Sequence, residues 1–192
     1  MRKAELKRIT KETSIRVSID LDGKGKNNLN TGIGFFDHLL DQFSFYSGVD
    51  INGEIEGDLH IDCHHTIEDL GYVIGECIRK ALDMDPGIER FSSQYIAMDE
   101  SLVRSAIDLS GRPFLYFDYY FERERIGQLE TECIKEFFRA LVTTSKMTLH
   151  LDVIRGENNH HIAEALFKAL GRSFAKAKVI ISDQVTSTKG VI

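Results

Sequence analysis

The chain has few cysteines, no surplus of basic residues and no apolar stretch near its start, and each shortage removes a class of protein. Its three cysteines (Cys63, Cys77, Cys133) form no CxxC pair and are odd in number, which points away from a disulfide framework and towards a reducing, cytoplasmic setting. Lys and Arg number 24 against 30 Asp and Glu, for a formal charge of −6. Nucleic acid and anionic membranes need a basic face that displaces counterions, so neither is an expected partner, and an anionic substrate would need a local basic pocket. The opening "MRKAELKRITKETS" lacks the apolar segment of a signal peptide or membrane span. What is present is 192 residues with 42% hydrophobic content, which is enough to bury a core as one domain or two intimate halves.

Periodicity divides the chain into short elements. "SIRVSID" (14–20) alternates Ile15, Val17 and Ile19 and reads as a strand, followed by the polar, glycine-rich "LDGKGKNNLNTGIG". That loop lacks the GK[ST] ending of a nucleotide-binding P-loop. "FFDHLLDQFSFY" (35–46) has helical spacing, with His38 and Gln42 together on its polar side. Strands are expected at 49–55 and 58–62 and a helix at 66–83, closed by Pro86 and Gly87. The second half repeats this order: strands near 94–98, 102–109 and 113–121, a helix over 130–145, a strand at "MTLHLDVI" (147–154) and a helix at 160–178. Strands and helices come in runs, favouring an α+β fold with helices on one face of each sheet.

The repeat is sharpest at two hexapeptides, "HHTIED" (64–69) and "HHIAEA" (160–165), which hold four of the seven histidines. Each follows an L-H-[IL]-D segment read as the end of a strand, with a longer connector the second time, and each has Glu four residues after its first His. Self-similarity at about half the chain length indicates internal duplication into repeats of about 1–90 and 91–192 within a single domain. On a helix, neighbouring side chains diverge by about 100°, whereas residues three or four apart share a face. His64 or His65 can therefore share an ion with Glu68, and His160 or His161 with Glu164, but two adjacent histidines cannot readily chelate the same one. Each half-site is too sparse to enclose an ion alone, so ligands must be pooled between halves or between subunits. Imidazole and carboxylate without paired thiolates suit Mn, Fe or Zn, and octahedral Mn if substrate adds donors. A single HH pair is commonly a surface or capping group; its duplication with the same glutamate argues against that reading.

"NTGIGFFDHLLDQF", "DLHIDCHHTIEDLG", "AMDESL", "DLSGRPF", "EFFRAL", "TLHL", "NNHHIAEALFKALGRSF" and "STKG" together resemble the imidazoleglycerol-phosphate dehydratase family over nearly the whole chain. The resemblance implies two four-stranded sheets with a four-helix layer between them, each half like domain 2 of ribosomal protein S5. It also implies two Mn2+ per subunit and trimers assembled into a 24-subunit shell. The implied reaction removes water from imidazole-glycerol phosphate, a small phosphorylated imidazole, to give imidazole-acetol phosphate in histidine biosynthesis. The proton that must leave is not beside a carbonyl, so the ring has to supply electrons, helped by a metal on a ring nitrogen, while a carboxylate moves the side-chain proton.

By the same resemblance the metal ligands are His38, His64, His65, Glu68, His160, His161 and Glu164; by spacing, the second-half partner of His38 falls at Glu136, where a histidine is otherwise expected and a carboxylate would replace imidazole. Glu12 and Asp99 lie near substrate, with Glu12 the favoured proton-transfer group, and Glu164 is counted with the catalytic carboxylates. Gln42, Arg90, Arg112, Lys168, Ser187, Thr188 and Lys189 surround phosphate. Taken singly these have plainer readings: Glu12 as a solvated strand-edge charge, Lys168 as the ion-pair partner of Glu164, "STKGVI" as a frayed tail. Two further departures from the family pattern are Cys63, where an acidic residue is expected, and Ser47–Gly48, where His–Gly is expected. Cys63 beside His64 could serve as a soft ligand, but on an extended segment its side chain points opposite to its neighbour, so a buried or inert thiol is expected. The same ligand set would also serve a metal-dependent hydrolase of a small phosphorylated substrate, or a non-catalytic protein whose subunits are clipped by metal.

Overall fold

The structure, a computed structural model, describes residues 2–82 and 87–189. Alternation builds the first sheet: β1 (Lys3–Ile9) and β2 (Thr13–Asp20) form a hairpin, and β2 buries Ile15, Val17 and Ile19 while Arg16 faces solvent. Short β3 (Asn27–Asn28), helix α1 (Gly34–Ser47), β4 (Asp50–Gly57) and helix α2 (His64–Leu82) complete the first half. The second half runs β5 (Phe91–Met98), β6 (Ser101–Asp108), β7 (Phe114–Phe117), a small hairpin of β8 (Arg125–Ile126) and β9 (Leu129–Glu130), α3 (Glu132–Ser145), β10 (Thr148–Arg155) and α4 (Asn159–Ala177). The two main sheets have orders β1-β2-β4-β3 and β5-β6-β10-β7. In both, the hairpin and its next neighbour are antiparallel and the short edge strand is parallel. The fold is α+β with a repeated pattern, and the inserted β8–β9 hairpin is the main addition to the second half.

The helices fill the space between the sheets, and they do so crosswise. Helix α2 lies on β1, β2 and β4, and α4 lies on β5, β6 and β10, while α3 packs on α2 and α1 on α4. Each half therefore lends its first helix to the other half's second. Glycine permits the close approach: a Cβ at Gly75 of α2 would sit 2.4 Å from the Leu141 carbonyl oxygen of α3, and one at Gly171 of α4 3.0 Å from that of Phe43 in α1. A cluster of phenyl rings joins three helices at the centre, with Phe36–Phe137 centroids 5.2 Å apart, Phe137–Phe167 5.5 Å and Phe138–Phe167 4.9 Å. This crossing brings residues of α1 against α4, where the second HH pair begins.

Most expected elements are present within a few residues, and the differences have local causes. The strand expected at 58–62 is a turn, closed by the Ile61 N–H on the Asp58 carbonyl. Leu59 and Ile61 alternate as in a strand but are exposed, and Asp62 instead accepts from the His64 N–H to start α2. The strand before α2 is thus β4, so the L-H-[IL]-D likeness between 59–62 and 149–152 joins a turn to a strand. The connector is shorter the second time, 156–158 against 58–63. The strand expected at 113–121 ends at Phe117. Strand β1 carries little sequence signal: its positions are mostly charged, and in the structure only Ala4 and Leu6 are even half-buried. Residue 83 and Pro86 lie outside the described residues.

Candidate metal and substrate site

Helix α4 begins where the Asn158 side chain accepts from the His160 N–H, a cap that presents His160 and His161 in the first turn. Their rings stand at 88° with centroids 6.1 Å apart, the divergence that helical spacing predicts. His160 turns towards Glu164: its Nε2 lies 3.0 Å from Glu164 Oε2. His38 Nε2, from α1, reaches that same oxygen at 3.1 Å, and Phe35 packs beside both rings. The other oxygen, Oε1, holds Lys168 Nζ at 2.7 Å. Glu164 is 6% exposed; burial pushes its pKa up, but hydrogen bonds from Lys168 and His38 prevail and hold it down at about 2. Two imidazoles and an ionised carboxylate, with ligating atoms all within 4.8 Å, make a donor set that fits a divalent ion.

The second histidine of each pair meets a different carboxylate arrangement, and the two halves match. His161 Nδ1 is 2.8 Å from Glu100 Oε2, and its Nε2 is 3.8 Å from Asp99 at the tip of the β5–β6 hairpin. His65 Nδ1 is 2.9 Å from Asp58 Oδ2, and its Nε2 is 4.0 Å from Glu12 at the tip of the β1–β2 hairpin. The hydrogen bonds to Asp58 and Glu100 raise the two histidine pKa values, and Glu100 is held far below the usual carboxylate range, first by His161 and then by the Asn158 N–H. A carboxylate on Nδ1 fixes the ring and directs the Nε2 lone pair outwards, the arrangement that orients metal-binding histidines. Neither Asp58 nor Glu100 is among the residues that motif and resemblance mark. Glu100 is adjacent to Asp99, which is so marked, but its partner lies 61 positions away, so no local signal marks it.

The hairpin tips are themselves fixed. Thr10 Oγ accepts from the N–H groups of Glu12 and Thr13, and Thr13 Oγ donates to Asp69 of α2, which also accepts from Arg8. Asp99 adopts φ 49°, a left-handed conformation that suits a turn aspartate. The Glu12 side chain remains about half exposed and Asp99 more so.

The first-half counterpart of the His38–His160–Glu164 cluster is not drawn together within one chain. His64 packs edge-on to His65, Glu68 accepts from Tyr72, and Glu136 forms an ion pair with Arg139 at 2.6 Å. Among the described residues no hydrogen bond or ion pair links these three. The residues expected near phosphate form two groups. Arg90 donates to Asp108 at 2.7 Å and to the Thr186 carbonyl, and Arg112 approaches Asp108 at 3.6 Å, so that two guanidiniums meet at Asp108 and one of them, Arg90, also holds the segment leading to Ser187, Thr188 and Lys189. Lys168 is at Glu164, and Gln42 lies half-buried one helical turn after His38. The Ser187 hydroxyl accepts from the Lys189 N–H. Cys63 is buried, as expected, and touches Cys133 at 3.6 Å, whose hydrogen bond lowers the pKa of the Cys63 thiol.

Imidazole–carboxylate clusters at equivalent places in two matched halves bring together groups that can move protons or hold metal, the equipment of an enzyme site. The sequence profile of the imidazoleglycerol-phosphate dehydratase family matches residues 31–174. An imidazoleglycerol-phosphate dehydratase of Cereibacter sphaeroides (strain KD131) is 50% identical over 195 residues, covering 100% of both chains. That of Caldicellulosiruptor saccharolyticus is 48% identical, covering 98% of this chain and 97% of its own. The crystal structure of the Staphylococcus aureus N315 enzyme superposes with a TM-score of 0.85 at 38% identity, covering 93% of this chain and 99% of that one. IGPD from Pyrococcus furiosus, solved in complex with (S)-C348, gives 0.84 at 35%, covering 97% and 100%. The chain belongs to the imidazoleglycerol-phosphate dehydratase family. It is a hydro-lyase that converts imidazole-glycerol phosphate to imidazole-acetol phosphate in histidine biosynthesis, which replaces the hydrolase and non-catalytic alternatives.

Proposed function

We propose that this dehydration depends on two Mn2+ per subunit, with His38, His64, His65, Glu68, Glu136, His160, His161 and Glu164 as the ligand pool. The observation that carries the reading is the convergence of His38 and His160, from opposite halves, on one buried Glu164 oxygen. Bound metal would supply Lewis-acid polarisation of the substrate's imidazole ring and a template for its orientation. The protein's own groups do the rest. Lys168 keeps Glu164 ionised as a ligand, and Asp58 and Glu100 hold His65 and His161 with Nε2 available. Glu12, exposed on a fixed hairpin tip, takes the side-chain proton, and Asp99 occupies the matching tip in the other half. Arg90, Arg112, Ser187, Thr188 and Lys189, with Gln42 and Lys168, bind phosphate, the arginines by forked, charge-assisted hydrogen bonds.

Because His64, Glu68 and Glu136 do not converge within one chain, the reading includes ligands pooled between subunits in a homo-oligomer, a 24-mer of trimers, working in the cytoplasm. Metal then joins subunits and serves catalysis together. Light scattering and product formation from imidazole-glycerol phosphate, each measured with and without chelator, test this. Chelation should lower assembly mass and abolish turnover, and Mn2+ should restore both. Full turnover in metal-free protein would overturn the metal reading, and full mass without metal would overturn the pooling between subunits.

A further inference from the structure

Among the described residues, one other set of ligating atoms converges besides the histidine cluster. Cys63 Sγ and Cys133 Sγ lie 3.6 Å apart, and both lie within 4.8 Å of a Glu130 carboxylate oxygen. The three residues come from separate places: the connector just before α2, the end of β9 and the first turn of α3. The thiols are sealed from solvent, Cys63 at 6% exposure and Cys133 at 0%. Zinc-class ions bind thiolate at about 2.3 Å in tetrahedral geometry, which sets a sulfur–sulfur edge of about 3.8 Å. The observed spacing is close to that edge, whereas a disulfide at about 2.05 Å would need the two sulfurs to approach by roughly 1.5 Å.

We propose that Cys63, Cys133 and Glu130 form a site for a thiophilic divalent ion of the zinc and cadmium class, separate from the imidazole–carboxylate ligands. Charge supports it: two thiolates and a carboxylate exceed the ion's charge by one, and Arg125, paired with Glu130, supplies the balancing positive charge. Chemistry sorts the two kinds of site, since thiolate selects zinc-class ions and carboxylate with imidazole admits manganese. An ion bound there would tie the residue immediately before His64 to α3, clipping the start of the first HH helix to the second half. The proposal does not rest on the manganese reading.

The test is a cadmium titration of the fully reduced, manganese-loaded protein, read by the sulfur-to-cadmium charge-transfer absorbance, which imidazole and carboxylate sites do not produce. The band should saturate at one equivalent in the wild type and be absent in Cys63→Ser and Cys133→Ser. In Glu130→Gln it should persist with affinity weakened by at least about tenfold. Cadmium NMR of the wild type, where the chemical shift reports the number of sulfur ligands, should show two and serves even if a cysteine variant does not fold. No thiolate band in folded wild type, a band that survives both serine variants, a one-sulfur shift, or a mass two hydrogens lower showing a disulfide would each overturn the proposal.

Discussion

Replacing Glu100 with Gln isolates the role of a residue that touches a histidine without belonging to the expected site. One carboxylate oxygen, Oε2, accepts from His161 Nδ1 at 2.8 Å. The other, Oε1, accepts from the Asn158 N–H at 2.8 Å, the Glu157 N–H at 3.2 Å and the Ser101 hydroxyl at 2.9 Å. Glutamine offers one acceptor oxygen and one donor nitrogen, so it cannot serve both sides. With the nitrogen towards His161, two donors face each other unless the ring moves its proton to Nε2, which removes the lone pair a metal needs. With the nitrogen turned the other way, it opposes the N–H groups that shape the loop before α4. Either arrangement should weaken metal affinity by about 10- to 100-fold, the scale for losing a group that orients a histidine ligand, with activity at limiting Mn2+ falling in parallel. Metal retention after dialysis, measured with turnover as a function of added Mn2+, gives the answer. Unchanged affinity and activity would show that Glu100 does not orient a ligand, and activity restored by excess Mn2+ would confirm that the defect is in binding.

Four other substitutions or conditions follow from the same geometry. Glu12→Gln keeps shape but removes a base, so kcat should fall by roughly 10²-fold or more with substrate still bound; near wild-type turnover would move the role to Asp99. Arg112→Ala should raise KM more than it lowers kcat, because phosphate contacts form already in the ground state, and a normal KM in steady-state kinetics would exclude it from the phosphate site. Glu164 has a depressed folded pKa of about 2 against an ordinary 4.5, so its stabilisation is complete above about pH 4.5 and is lost as pH falls towards 2. Denaturant melts of metal-free protein across that window should lose up to about 3 kcal/mol from this group, and Glu164→Gln should flatten the dependence. Gly75→Ala forces a Cβ against the Leu141 carbonyl; overpacking of about 1–3 kcal/mol, less about 1 kcal/mol gained in helix propensity, should lower Tm by up to about 8 °C. A higher Tm would show that α2 and α3 can separate without cost.

Local sequence determined much of this protein on its own. Spacing of apolar residues gave notice of all four helices, because helical burial depends on residues three and four apart, and it also dictated that His160 and His161 point in different directions. The two HH segments resemble each other, and the two main sheets share one pattern of strand order. At 58–62, alternation was misleading, since Asp58 and Asp62 spend their hydrogen-bonding groups on a turn and a helix start where a ladder was expected. Only the tertiary structure decided which helix lies on which: α1 crosses to α4, and His38 meets Glu164 from 126 positions away. The same packing set Glu100 on His161 and Cys63 on Cys133. Contacts of that range depend on how whole buried faces and close glycine approaches fit together, which no pattern confined to a few neighbouring residues encodes.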